Sequence, residues 1–323
     1  MQTIKPRRLQ KGDTVGIVSP SSPVPQELRA QFDLGVKTLE EMGLKVKIGK
    51  HAFDICEHSA GTIKGRVEDI NSLWADPEVR MVLMSIGGNT AIHLLPYLDY
   101  EMMSRDPKIF SGISDGTTLL TAISAKTGIV TYHGPDLIFT FGLPMPEVIR
   151  ENIMKTFFDG NVNALKPNPN WEHCSNKKVV GGGWRTVREG KASGVLVGGH
   201  IECLLTTTFA GYGPDFEGKI LFLEGTGKIE HVDRALVALK LHGVFDKING
   251  LVIGWFEGNN YDGPMTGQPP KDLFLERLSE YNFPILEISE LGHDVDNYVF
   301  PIGCMASIDA GERKFEILEP TVI

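Results

Sequence analysis

IFSGISDGTTLL, residues 109–120, leads from an apolar run through Gly112 and Ile113 to Ser114, then to Asp115 and Gly116 and into a helix start. A G-x-S-x-G elbow between a strand and a helix pushes the serine hydroxyl out of a sheet and leaves a backbone N–H beside it for an oxyanion. The same residues also serve as ordinary turn chemistry, and among 36 glycines in 323 residues a chance match is unsurprising. Under the elbow reading, Ser114 sits at the C-terminal end of a strand, the edge where open α/β sheets bind ligands.

The flanking sequence alternates strand and helix signals. TVGIVSP (14–20) reads as a buried strand, and PQELRAQFDLGVKTLEEMG (25–43) repeats Leu28, Phe32, Val36 and Leu39 at helical spacing. KVKIGK (45–50) is a second strand, GRVEDINSLWAD (65–76) a second helix and RMVLMSIGG (80–88) a third strand. PKIFSGIS (107–114) delivers Ser114, and GIVTYHGP (128–135) adds a strand before a helix near 146–158. This pattern predicts an α/β fold whose N-terminal domain, 1–161, carries an open, mostly parallel sheet.

From Asn163 the texture changes to prolines, a glycine triplet and little periodicity, so 162–190 reads as an interdomain linker or long loop. It carries Trp171 and Trp184, as part of a functional lid or of a passive connector. Residues 191–323 then predict a smaller C-terminal α/β domain. GVLVGG, KILFLEG and INGLVIGWF are its strands, and VDRALVALKLHGVF (232–245) is an amphipathic helix. NYVFPIGCMASIDAGERKFEIL (297–318) supplies closing strands around a DAGE turn.

Composition narrows the function classes. A chain of 323 residues with 41% hydrophobic content can bury two domain-sized cores. The net charge of −9, with no basic stripe beyond KPRRLQK (5–11), argues against a nucleic-acid partner. No run approaches the ~20 apolar residues of a membrane span, and the basic start lacks the apolar core of a secretory leader. The expected location is the cytoplasm. The four cysteines, at 56, 174, 203 and 304, form no C-x-x-C pair and suit reduced thiols. Cys56 near His58 and His173 beside Cys174 match no usual zinc spacing, so neither a metal nor another cofactor is expected.

A serine nucleophile needs a base and a group that orients the base. Glu224 ends the apolar run of KILFLEGTG, and His293 follows the strand PILEIS within ISELGHDVDN. Singly, the first reads equally as a turn or cap carboxylate and the second as a solvated loop histidine. Together with Ser114 they follow the chain order of the elbow-type hydrolases. IGGN (86–89) follows a strand, and its N–H groups make either an anion nest or a tight turn. EGTGK fails as a phosphate loop because Phe222 stands where the first glycine is required, and no strand leads into G-x-G-x-x-G.

GDTVGIVSPSSP, GTIKGRVEDINSLWADPEV, SIGGN, PKIFSGISDGTTLLTAISAKTGIVTYHGP, GVLVGG, ILFLEGTG, VDRALVALKLHGVFDKINGLVIG and GHDVDNYVFPIGCMASID occur in that order across nearly the whole chain. In these motifs the sequence resembles the LD-carboxypeptidase family of serine peptidases, and more closely its microcin-immunity (MccF-like) branch. The resemblance implies a Ser-Glu-His triad falling on Ser114, Glu224 and His293, with oxyanion N–H groups at Gly88 and Asp115. It implies an N-terminal domain bearing the serine, a C-terminal domain bearing Glu and His, an active site where the domains meet, no metal, and a homodimer. In the microcin-immunity branch, aromatic residues of the interdomain loop lie near a nucleotide base, a role that Trp171 or Trp184 matches.

The sequence departs from the family pattern in three places. Gly198, Gly199, His200 and Ile201 stand for Gly-Gly-Asn-Leu, Gly225 replaces an aspartate after Glu224, and Gly116 replaces a larger residue. The expected substrate is a peptidyl or aminoacyl nucleotide cleaved at its amide link, in self-immunity or detoxification. The alternatives are a murein tetrapeptide losing its terminal D-alanine in cell-wall recycling, and a non-catalytic binding protein on the same fold. A general α/β-hydrolase esterase ranks lower because no His-Gly-Gly-Gly segment is present.

Overall fold

The run Thr14–Val18 (β1) is buried at every residue, as a central strand covered on both faces must be. In the computed structural model, which describes residues 3–162, 164–168, 183–256, 270–293 and 295–323, it lies inside the sheet of the first of two units, between the strands Val79–Met84 and Lys45–Ile48. That unit comprises Met1–Asn161, Val299–Gly303 and Thr321–Ile323. Beside β1 lie β2 (Lys45–Ile48), β3 (Val79–Met84), β4 (Ile109–Gly112) and β5 (Thr131–His133), all parallel. Helices α1 (Arg29–Glu41), α2 (Ile63–Ala75), α3 (Tyr100–Arg105), α4 (Gly116–Thr127) and α5 (Glu147–Met154) complete the unit. Thr62 caps α2, its Oγ1 accepting from Gly65 N at 3.1 Å, and the helix buries Ile70, Leu73 and Trp74.

The second unit comprises Val162–Tyr298 and Cys304–Pro320. Its strands are β6 (Ala164–Leu165), β7 (Arg185–Arg188), β8 (Lys191–His200), β9 (Ile220–Gly225), β10 (Gly250–Phe256) and β11 (Ile285–Gly292). The chain then makes β12 (Phe300–Ile302), which belongs to the first unit, and returns with β13 (Met305–Asp309) and β14 (Lys314–Ile317). The eight-stranded sheet has the order β6-β14-β13-β8-β9-β10-β11-β7. Its central strands β8 to β11 are parallel, and the flanking ones are antiparallel. Helices α6 (Ile201–Phe209), α7 (Ile229–Leu241) and α8 (Pro270–Arg277) accompany it, and Leu204, Leu221, Leu236, Leu251 and Phe274 are among its buried core.

Two expectations need correction. Residues 162–190 are not simply a linker, because β6 and β7 form both edges of the second sheet. Nor does 191–323 form one continuous domain: β12 pairs antiparallel with β5, and Val299 N donates to Asn152 Oδ1 at 2.8 Å. A three-residue strand is too short to show a period of two. Its Pro301 fits an edge position, where one ladder donor is dispensable.

Glu287 on β11 pairs in register with Arg185 on β7, Oε1 lying 3.8 Å from Nη1. Burial raises its carboxyl above the ordinary range, and the Arg185 charge offsets this only in part. A carboxyl whose pKa is higher in the folded than in the unfolded chain favours the fold below the unfolded value. That contribution is lost as pH rises through the folded value. Glu287→Gln is therefore expected to gain stability relative to wild type between mildly acidic and neutral pH, as read by urea unfolding. A difference that does not change with pH would contradict this.

Candidate active site

Ser114 follows β4 immediately and adopts φ +62°, a left-handed conformation that costs a non-glycine residue of order 1 kcal/mol or more. The strain is held by the helix that begins at once: Gly116 N bonds to Ile113 O at 2.9 Å and Thr117 N to Ser114 O at 2.9 Å. Both elbow glycines pack closely on the Met84 side chain, which would have to shift for a larger residue. A Cβ at Gly112 would lie 2.5 Å from Met84 Sδ, and one at Gly116 would lie 2.7 Å from the same sulfur. Thus Gly116, a departure from the family pattern, fits the methionine that ends β3. The hydroxyl stands at the N-terminus of α4, where the helix dipole favours developing negative charge.

The IGGN segment packs on this elbow. A Cβ at Gly87 would meet Ser114 Cβ at 2.7 Å, its Oγ at 3.0 Å and Asp115 N at 3.7 Å, so one face of Gly87 looks onto both the hydroxyl and that backbone nitrogen. Gly88 has φ +145°, and a side chain there would strike Ser21 Oγ and Ser22 Oγ. Ser114, Asp115 and Gly88 are thus gathered in the first unit. Such a cluster of a strained hydroxyl and neighbouring backbone can receive a carbonyl and its oxyanion.

Glu224 and His293 come together in the second unit. Both lie at C-terminal ends of parallel strands: Glu224 in β9 and His293 directly after β11. Glu224 Oε2 lies 2.7 Å from His293 Nδ1, and the carboxylate side chain is 0% exposed. Asn297 fixes the turn that presents the imidazole, accepting from Gly292 N at 2.7 Å and donating to Gly292 O at 2.6 Å. A carboxylate on Nδ1 holds the ring in the tautomer that leaves Nε2 as the basic nitrogen.

The departures fall on the same strand ends. His200 ends β8 in register with Glu224, and its ring meets that of His293 edge-on with centroids 5.5 Å apart. Thr226 lies beside His200 Nε2, its backbone N and its Oγ1 each at 3.3 Å. A Cβ at Gly225 would lie 3.2 Å from the Phe256 ring and 3.3 Å from Ile201, so this packing leaves little room for the family aspartate.

Trp184 is 2% exposed, and its indole N–H donates to Glu290 Oε2 at 2.8 Å. In this state the ring is an internal strut of the second unit and offers no open face for stacking, contrary to the expectation. Burial raises the Glu290 carboxyl, while bonds from Asn168 N, Trp184 and Ser289 pull it back. Trp171, His173 and Cys174 lie outside the described residues. Cys56 is exposed, Cys203 half-buried and Cys304 buried, and among the described residues no group of three or more His, Cys, Asp or Glu is placed to hold a metal ion. No helix among them is long and apolar enough to cross a membrane.

A strained serine at a strand-to-helix turn and a buried carboxylate bonded to a histidine are the equipment of a serine hydrolase. Comparison with known proteins narrows the class. Residues 15–134 match the LD-carboxypeptidase N-terminal domain and 193–308 the LD-carboxypeptidase C-terminal domain. The chain is 32% identical to a putative carboxypeptidase of Vibrio cholerae, over 96% of each protein. It is 31% identical to the microcin C7 self-immunity protein MccF of Escherichia coli, over 96% of this chain and 94% of that one. A probable murein peptide carboxypeptidase of Bacillus subtilis is also 31% identical, over 96% of this chain and 92% of that one. Among solved structures, wild-type MccF without ligand matches with a TM-score of 0.90 at 29% identity, over 99% of this chain and 100% of that one. The chain belongs to the LD-carboxypeptidase family of serine peptidases. It is a hydrolase of the serine peptidase type on a two-domain α/β fold.

Proposed function

We propose that Ser114, His293 and Glu224 form the catalytic triad of an amide hydrolase that cleaves aminoacyl or peptidyl nucleotides, as in self-immunity or detoxification. The observation that carries this reading is the buried Glu224–His293 bond of 2.7 Å, a pre-oriented base of the kind that a strained serine nucleophile such as Ser114 requires. In the working enzyme Ser114 Oγ must lie within hydrogen-bond reach of His293 Nε2. His293 takes the serine proton as Oγ attacks the scissile carbonyl, and Glu224 stabilises the resulting imidazolium. The N–H groups of Gly88 and Asp115 bind the oxyanion, each worth on the order of 10²-fold or more in rate. His293 then gives its proton to the leaving amine, and a water that it activates releases the acyl group from Ser114. The resemblance adds a homodimer and no bound metal to the proposal.

The nucleotide preference is supported by MccF structures of TM-score 0.89 with aspartyl sulfamoyl adenosine and with glutamyl sulfamoyl guanosine. A murein tetrapeptide carboxypeptidase is the second reading, favoured by the Bacillus subtilis relative at the same 31% identity as MccF. With Trp184 occupied by Glu290, Trp171 is the aromatic proposed to stack on the base. Because a stacked base contributes roughly 1–3 kcal/mol, Trp171→Ala is expected to raise KM for an aminoacyl nucleotide about 5-fold to 150-fold. KM for a murein tetrapeptide should stay the same. An unchanged KM for the nucleotide would shift the assignment to the murein substrate.

A further inference from the structure

We infer that the Asp115 carboxylate, with Ser21 and Arg66, forms a buried joint that sets the direction of the oxyanion-binding N–H groups; the inference rests on the serine-hydrolase reading above. One carboxylate oxygen, Asp115 Oδ2, accepts from Ser21 Oγ at 2.6 Å and from Ala91 N at 2.8 Å. Ser21 Oγ in turn accepts from Thr90 N at 3.0 Å. The other oxygen, Oδ1, accepts from Thr118 Oγ1 at 3.2 Å, one turn into α4. Arg66 reaches in from α2, its Nη1 donating to Pro20 O at 2.7 Å, Thr90 Oγ1 at 2.9 Å and Thr90 O at 3.2 Å. Asp115, Ser21, Thr90 and Arg66 are all buried. Burial lowers the Arg66 pKa, and the Asp115 charge works against that shift.

The arrangement fixes Gly88 from both sides. Before it, Gly87 O accepts from Ser22 N at 3.1 Å; after it, Thr90 N and Ala91 N bond to Ser21 Oγ and Asp115 Oδ2. Asp115 thereby joins the two donors, because its own backbone N–H is one and its carboxylate anchors the loop that carries the other. None of these side chains is asked to touch substrate. They are positioning residues, and their effect falls on the transition state, where the oxyanion exists, rather than on ground-state binding.

The test uses the serine-directed phosphonofluoridate reaction, whose adduct puts an oxygen where the oxyanion would lie. Wild type, Ser114→Ala, Ser21→Ala, Asp115→Asn and the Ser21→Ala/Asp115→Asn double variant are compared by the maximal labelling rate, the reagent concentration at half-maximal rate, and Tm. Asparagine keeps the volume but turns an N–H₂ group toward donors on one side. Expected are a fall of about 10-fold to 100-fold in maximal rate for each single variant, an unchanged half-maximal concentration, and a double variant no slower than the slower single. A purely structural role would lower Tm without that split. Ser114-dependent labelling that proceeds at the wild-type rate in Ser21→Ala and Asp115→Asn, or losses that multiply in the double variant, would overturn the joint alone. Ser21→Ala removes a single oxygen and decides the matter should Asp115→Asn not fold. Labelling that is absent in wild type or persists in Ser114→Ala would overturn the serine-hydrolase reading, and the joint with it.

Discussion

Replacing Glu224 by glutamine is expected to lower kcat about 10⁴-fold while the protein stays folded. The side chain keeps its size in a site that is fully buried, so the packing around β9 survives. What changes is the hydrogen bond to His293 Nδ1, 2.7 Å long in the native pair. A carboxylate only accepts and forces the ring proton onto Nδ1. An amide that presents its N–H₂ group instead favours the opposite tautomer, with the proton on Nε2, where a base needs a lone pair. The amide also offers no negative charge to the imidazolium that would form, in the proposed mechanism, as Ser114 is deprotonated. Steady-state kinetics with Tm as a folding control read this directly. A loss under about 10-fold would mean that His293 takes its orientation from something other than Glu224.

Ser114→Ala and His293→Ala are each expected to lose on the order of 10⁴-fold to 10⁶-fold in kcat, and the double variant no more than the worse of the two. In the proposed triad nucleophile and base act on one proton, so removing either should end the same step. Residual turnover would then come from binding and the oxyanion N–H groups alone. Kinetics of the three variants against wild type check this. Losses that multiply would show two separate contributions, and near-normal turnover in either single variant would remove that residue from the triad.

Much of the fold is legible in the sequence because strong local signals coincide. The apolar strands β1, β3 and β9, the helix periodicity of α1 and α7 and the two elbow glycines each act over a few residues. Ser114 and His293 stand out because each follows such a strand, and Glu224 because it closes one. The rest depends on contacts that sequence distance hides. Ser21 and Ser22 in SPSSP look like a turn, and only packing on Gly88 gives them a second role. Helix α6 gives a weak sequence signal because IECLLTTTF carries three β-branched threonines in a row, poor helix formers by propensity; backbonding of Thr206, Thr207 and Thr208 to carbonyls three or four residues earlier satisfies their hydroxyls. Trp184 reads as an exposed loop aromatic until Glu290, more than a hundred residues later in the chain, claims its N–H. His200 is visible as a departure from the family, but its edge-on approach to His293 follows from strand register.

The most direct test incubates wild type and Ser114→Ala with a D-alanine-ended murein tetrapeptide and with a stable-phosphate mimic of an aminoacyl adenylate, and follows the products by mass spectrometry. Cleavage of the adenylate mimic at its amide link by wild type, absent in Ser114→Ala, is the expected result. Release of D-alanine instead would keep the triad and replace the substrate. Cleavage that persists without the Ser114 hydroxyl would contradict the serine mechanism outright.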